Sequence, residues 1–396
     1  MSKIQALIML LAASLLYSCQ DDSTQPEQEE EKIHFVSVTP VNELSVATLR
    51  SFAVLLGRPE LADRMKYGIR TYRLVYKTTY NGATLNASGL FYLPKDMPGS
   101  APIISVQHGT TFVKDEAPSV SGDYSGVELF ASAGYISLMP DFIGYGESAG
   151  IFHPYYDKEH SALAVIDMIR AAKEYLQQEK IAFSDKLFLA GYSEGGYVTM
   201  AAANVIETSD TTGLKVTAVA AGAGGYDLSG MLSDVTSSNY YSYPSYLAFI
   251  IMAYNQTYQW NKPLSYFFSE PYAEALNTYM NGQYSGSFIN SKLTTSADKL
   301  FNPQFFESLK TPAGEPEFKQ AIADNSVSGW KTQIPMRLFH GTSDEVIPYH
   351  NSEVTLENFQ SFGSSDVTLT LIPGGTHGST FLPMLEVIVP WFEELR

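Results

Sequence analysis

The stretch Gly191-Tyr192-Ser193-Glu194-Gly195-Gly196 constrains this chain more than any other. The apolar run Lys186-Leu187-Phe188-Leu189-Ala190 before it reads as a buried strand. After it, Val198, Met200, Ala201, Ala203 and Val205 follow a helical period. Strand, tight turn and helix in that order form a nucleophile elbow. The turn strains the backbone of its central residue, so the flanking positions must be small, and Gly191, Gly195 and Gly196 meet that demand. The Ser193 hydroxyl is then lifted clear of the sheet, above a helix N-terminus that favours developing negative charge. The plainer alternative is a glycine-rich strand-to-helix turn with an incidental serine; the glycine pattern set between a strand and a helix favours the catalytic reading.

A serine hydroxyl is a poor nucleophile at neutral pH, so an imidazole must take its proton and a carboxylate must orient the imidazole. In the α/β-hydrolase arrangement the chain order is Ser, then Asp or Glu, then His. Three histidines follow Ser193: His340, His350 and His377. His377 lies in Pro373-Gly374-Gly375-Thr376-His377-Gly378, just past the alternating run Val367 to Ile372 and before a last helix, where the base belongs. His340 ends a strand and reads as structural; His350 opens a helix and reads as solvated. The acid is expected in the loop after the preceding strand, which carries adjacent Asp344 and Glu345. The spacing Gly-x-x-Asp-x-x-Ile-Pro favours Asp344, with Glu345 as a solvated neighbour.

Two backbone N–H groups must face the tetrahedral oxygen. One is expected from Glu194, directly after the serine. The other is expected from the loop His108-Gly109-Thr110-Thr111, which follows the strand Pro102 to Gln107, with Thr110 as donor. Elbow, His-Gly loop, Asp loop and terminal His loop together resemble the α/β-hydrolase superfamily, in its secreted lipase and esterase branch. The segment Pro140-Asp141-Phe142-Ile143-Gly144-Tyr145-Gly146-Glu147-Ser148 strengthens the likeness, which runs from about Tyr67 to the C-terminus with one interruption. The resemblance implies a serine esterase or lipase that needs no cofactor and acts on a small-molecule, glycan or lipid ester.

The first residues read as a targeting signal. Lys3 precedes an apolar run from Ile4 to Leu16 that is too short to span a bilayer, and Leu16-Tyr17-Ser18-Cys19 resembles the lipobox of bacterial lipoproteins. That likeness implies a signal peptide over residues 1–18 and a diacylated Cys19, hence attachment to a membrane of the bacterial envelope. The outer membrane and its surface are the expected location. Cys19 is the single cysteine of 396 residues, so no disulfide supports the fold. Residues 19–32 read as an acidic, solvated tether. The formal charge of −17 argues against nucleic acid as a partner. His153, Asp157, Glu159 and His160 cluster, but they read as a helix N-terminus, and no zinc-type spacing occurs.

Between the tether and the C-terminus, residues 33–396, alternating strands and helices predict a mostly parallel sheet with helices on both faces. Ile69 to Tyr80 and Thr84 to Leu93 read as a hairpin turned at Asn81-Gly82. The alternation stops at about residues 226–330, a tyrosine-rich stretch after the sixth predicted strand, expected to be a mainly helical cap. Two rival readings stand. One is a serine peptidase of the same fold, although Ile33 to Lys66 is too short to hold an upstream propeller. The other is a non-catalytic binding lipoprotein on a hydrolase scaffold.

Overall fold

The computed structural model describes residues 34–55, 57–122 and 126–396. The expected signal peptide, Cys19 and the tether lie outside them. Among the described residues nine strands form one sheet in the order β1-β2-β3-β5-β4-β6-β7-β8-β9. They are β1 (Phe35–Leu44), β2 (Ile69–Tyr80), β3 (Ala83–Pro94), β4 (Ala101–Gln107), β5 (Ile136–Pro140), β6 (Phe183–Tyr192), β7 (Ala218–Gly222), β8 (Met336–Gly341) and β9 (Val367–Ile372).

From β5 to β9 neighbouring strands are parallel, while β1, β2 and β3 join antiparallel. The β2–β3 turn holds Asn81 at φ 49° and Gly82 at φ 78°, the pair of left-handed residues that a two-residue hairpin needs. β1 is an addition to the expected sheet. All ten of its residues are exposed or half-buried, and its only alternation, Val36-Ser37-Val38-Thr39, is cut off at Pro40, where the pairing register also shifts, so the sequence does not announce a strand of this length.

Both faces of the sheet are covered. The long helix Lys158–Gln178, the elbow helix Glu194–Thr208 and His350–Ser361 pack on one face. Val46–Leu55, Glu128–Ser132 and the last helix Phe381–Glu394 pack on the other. Strands enclosed in this way need apolar residues on both sides, and all seven residues of β4 and all five of β7 are buried. Among the described residues no helix is long and apolar enough to cross a membrane.

The chain moves from β4 outward to β5 on one side and to β6 on the other, so β4 and β6 flank the point where the strand order reverses. A crevice at the C-terminal ends of the strands opens at such a point. Between β7 and β8 lies an insert of eight helices, from Leu228–Ser238 to Pro316–Asp324. Phe267, Phe268, Phe301, Phe305 and Phe306 form much of its own interior.

Candidate active site

Ser193 stands between β6 and the elbow helix at φ 60° and ψ −125°, a conformation a non-glycine residue adopts only under constraint. Its N–H donates to the Gly222 carbonyl at 2.8 Å, which ties the turn to β7. The neighbouring glycines are required by close approach. A Cβ on Gly195 would fall 2.0 Å from the Gln107 carbonyl oxygen, and one on Gly196 would fall 2.5 Å from that of Gly222. The glycine pattern in the sequence therefore records three backbones in contact.

His377 sits on the loop after β9. Its Nε2 lies 2.8 Å from Ser193 Oγ, and its Nδ1 lies 2.7 Å from Asp344 Oδ2. Only Nδ1 faces a carboxylate, so Nδ1 carries the hydrogen and Nε2 presents its lone pair to the serine O–H. Two further contacts hold the loop: Tyr192 O–H donates to the His377 carbonyl at 2.6 Å, and His377 N–H donates to Glu345 Oε2 at 3.2 Å.

Asp344 has no exposed side-chain surface. Burial alone pushes its carboxyl up, but hydrogen bonds from His340, His377 and the Ile347 N–H outweigh it and hold the group well below the usual carboxylate range. Its Oδ1 accepts the N–H groups of Val346 and Ile347, each at 2.9 Å. His340 is fully buried behind it. The His340 Nε2 faces two acceptors, the Ile347 carbonyl at 2.9 Å and Asp344 Oδ2 at 3.3 Å, so it carries hydrogen, and Nδ1 takes the Ser352 hydroxyl at 2.7 Å. His350 is exposed at the start of its helix. Glu345 is exposed as well, yet its bond to the His377 backbone gives it a place that the sequence reading did not assign.

The loop after β4 runs beside the elbow. A Cβ on Gly109 would lie 3.6 Å from that of Ser193. Thr110 follows, its hydroxyl 2.9 Å from the Tyr155 hydroxyl. Glu194 opens the elbow helix, so its N–H has no acceptor within that helix. Ser193, His377, Asp344, Glu194 and Thr110 are thus brought to one end of the sheet.

The segment after β5 acts as a brace. Asp141 is fully buried, accepts Ser88 Oγ–H at 2.6 Å and Ser119 N–H at 2.7 Å, and leaves no room for a side chain at Gly146. His108 stacks on Phe142 with ring centroids 4.1 Å apart.

The expected cluster of His153, Asp157, Glu159 and His160 divides. Asp157 caps the long helix by accepting His160 N–H at 3.1 Å, as a helix N-terminus requires. His153 instead turns away and meets the buried side chain of Glu194, its Nε2 2.7 Å from Oε1. That contact was missed because the two residues are 41 positions apart and nothing local pairs them.

The insert meets these loops through aromatic rings. Phe249 stacks on Tyr155 at 4.5 Å, and Phe112 packs on Tyr246 at 5.4 Å. Tyr241 O–H donates to the Val346 carbonyl at 3.0 Å. A cavity of about 260 Å³ lies between Phe112, Lys114, Tyr145, Phe152, His153 and Phe249. A second, of about 550 Å³, lies between Met231, Val235, Tyr240, Tyr241, Glu345 and Val346.

Known proteins share this architecture. A candidate hydrolase from Legionella pneumophila superimposes with a TM-score of 0.81 at 26% identity, over 91% of this chain and 98% of that one. A single-site mutant of the rice cell wall degrading esterase LipA from Xanthomonas oryzae gives 0.80 at 25% identity, over 92% and 99%. Candida antarctica lipase A, at 15% identity and a TM-score of 0.65 over 92% and 83%, shares the fold. Prolyl oligopeptidase A of Galerina marginata is 28% identical over 162 residues, which are 38% of this chain and 22% of that enzyme. Residues 119–386 match the secretory lipase family, a span that takes in Ser193, Asp344 and His377. The chain therefore belongs to the secretory lipase family, on an α/β-hydrolase fold of esterase and lipase type.

Proposed function

We propose that ester hydrolysis in this protein runs through an acyl-enzyme on Ser193. One observation carries the reading: the unbroken relay from Ser193 Oγ through His377 to Asp344, with steps of 2.8 and 2.7 Å. Ser193 Oγ attacks the ester carbonyl carbon while its proton passes to His377 Nε2, and the carbonyl π electrons move onto oxygen. The N–H groups of Glu194 and Thr110 hold that oxyanion. Its collapse breaks the bond to the alkoxy oxygen, which leaves as the alcohol with the proton from His377. A water then gives a proton to Nε2 and attacks the acyl carbon, and the second collapse breaks the bond to Ser193 Oγ, which takes the proton back from Nε2 as the carboxylic acid is freed. Asp344 keeps Nδ1–H pointed away from the serine throughout and opposes the imidazolium charge.

Residues 33–396 form one hydrolase domain in this reading, and the insert at about 226–330 is a cap whose rings select the ester. Time-dependent labelling of Ser193 by a fluorophosphonate tests the nucleophile, and its absence in folded protein would leave the binding-lipoprotein reading. The likeness to prolyl oligopeptidase A favours one further comparison, matched ester and anilide substrates with the same acyl group; a faster anilide would move the assignment to a peptidase.

The secretory family fits an extracellular or envelope location. We place the enzyme on a bacterial envelope membrane, held there by lipid on Cys19, because Leu16-Tyr17-Ser18-Cys19 precedes an acidic tether. Mass spectrometry of the mature protein should find an acylated Cys19 at its N-terminus. An unmodified terminus elsewhere would refute the anchor.

A further inference from the structure

Glu194 supplies the ester chemistry with its backbone N–H, and the mechanism gives its side chain nothing to do. That carboxyl is nonetheless buried, the residue being 1% exposed, and it meets His153, which is 5% exposed. His153 Nδ1 lies 2.7 Å from the Ile143 carbonyl, which can only accept, so Nδ1 carries hydrogen. The 2.7 Å contact between Nε2 and Glu194 Oε1 then requires one more proton. Wherever that proton sits, the pair is neutral as a whole, as imidazolium with carboxylate or as imidazole with carboxylic acid.

The His153 ring is itself held on several sides. Its centroid lies 4.9 Å from Tyr145, 5.7 Å from Phe249 and 5.9 Å from Tyr155. A Cβ on Gly144 would fall 2.6 Å from the His153 Cα, so the backbone there is fixed too.

We propose that His153 is a positioning residue for the oxyanion hole. By sharing one proton with the Glu194 side chain, it fixes the peptide whose N–H receives the oxyanion and prevents a bare carboxylate from lying beside it. A buried carboxylate without that partner would oppose the charge that the hole must stabilise. Phe249 belongs to the insert, so the same ring also ties the insert to the nucleophile's peptide. The inference rests on Ser193 being the nucleophile.

The test uses the purified full chain and an activated ester. Glu194→Met keeps the length of the side chain without the hydrogen bond. Glu194→Gln can donate an amide hydrogen to neutral His153 Nε2 and so restores the bond. Glu194→Met should lower kcat by about 10- to 100-fold, a part of the roughly 10²- to 10³-fold cost of losing one oxyanion donor, with KM little changed. Affinity for a boronic acid, which forms a tetrahedral adduct on the serine, should fall in the same proportion. Glu194→Gln should recover most of both losses. Should Glu194→Met not fold, His153→Asn strips Glu194 of its partner and is held to the same split between kcat and KM. Fluorophosphonate labelling of the wild type separates the two levels of failure. An unlabelled Ser193 removes the nucleophile reading itself. A labelled wild type, together with unchanged kcat in the Met variant, a loss residing in KM, or a Gln variant as slow as the Met variant, overturns the positioning role alone.

Discussion

At the ends of β4, β6 and β7, backbone touches backbone; in the helical insert, ring touches ring. Gly191, Gly195 and Gly196 leave no space for a methyl group, because a Cβ on each would lie within 2.0–2.5 Å of a carbonyl oxygen. In the insert, Phe267 meets Phe305 at 5.2 Å and Phe305 meets Phe318 at 5.6 Å, edge to face. The first kind of contact admits one geometry, which suits groups that must stay within tenths of an ångström of a reacting atom. The second kind admits exchange among side chains of similar volume. In the proposed function, chemistry and choice of substrate therefore fall to regions with different tolerance for change.

The sharpest break between the regions is in rate. Ser193→Ala and His377→Ala should each lower kcat by about 10⁴-fold or more, because members of a relay act as a unit. Both variants should keep the wild-type far-UV circular dichroism and melting transition. Hydrolysis near the wild-type rate by either folded variant would move the chemistry elsewhere.

Asp344 comes next. Asp344→Asn allows the wrong imidazole tautomer and should lower kcat by roughly 10³- to 10⁴-fold. Glu345→Gln loses only a backbone contact at an exposed position and should lose much less. If Glu345→Gln were the worse variant, the two acids would exchange roles. Asp344 also has a signature in stability. Its carboxyl is held below the ordinary value of 3.8, so the native chain binds this proton less readily than the unfolded chain. The stability it contributes is full above that value and is lost as pH falls through the lower, native one. The melting temperatures of wild type and Asp344→Asn should differ most near neutral pH and converge in acid below 3.8.

The two regions were not equally legible in the sequence. The elbow, the hairpin turn at Asn81-Gly82 and the order Ser193, Asp344, His377 depend on local residue types, so they could be read. β1 could not, because its alternation covers only Val36 to Thr39 before Pro40 interrupts it. The His153–Glu194 pair and the support of Asp344 by His340 were hidden for a different reason. They depend on loops from separate strands meeting, and a buried polar contact of that kind leaves no periodic trace. For the insert, composition announced aromatics without saying which way they face. Tyr254 is fully buried, whereas Tyr240 is 57% exposed, though both lie in the same tyrosine-rich run.

A stability comparison tests the same contrast at smaller scale. Gly195→Ala drives a methyl group into the Gln107 carbonyl and should destabilise by about 1–3 kcal/mol or more, with activity lost as the elbow shifts. Met252→Leu, in the insert and 8% exposed, conserves volume and should cost less than about 1.5 kcal/mol. Urea unfolding followed by tryptophan fluorescence measures both. Equal losses would mean that the insert is packed as tightly as the elbow.

The smallest effect expected is the one that defines the insert's role. Tyr246 packs on Phe112 from the loop that carries Thr110, and Tyr241 hydrogen-bonds to Val346 two residues after Asp344. Both tyrosines stand where the insert meets the loops that carry Thr110 and Asp344: Tyr241 lines the second cavity, Tyr246 packs on Phe112, which lines the first, and neither touches Ser193 or His377 through a hydrogen bond among the described contacts. Their removal should therefore change what fits beside the ester and leave the relay intact. A side-chain contact of this kind alters discrimination by about 1–3 kcal/mol, so Tyr246→Ala and Tyr241→Ala should each shift relative kcat/KM across a panel of acyl lengths and alcohols by about 5- to 150-fold. The rate at which a small fluorophosphonate labels Ser193 should change far less, since that reagent fills neither cavity. If ester preference stayed constant while labelling slowed, the rings would be supporting the elbow and the division between the two regions would fail. If neither changed, the insert would be a roof whose aromatics serve only its own packing.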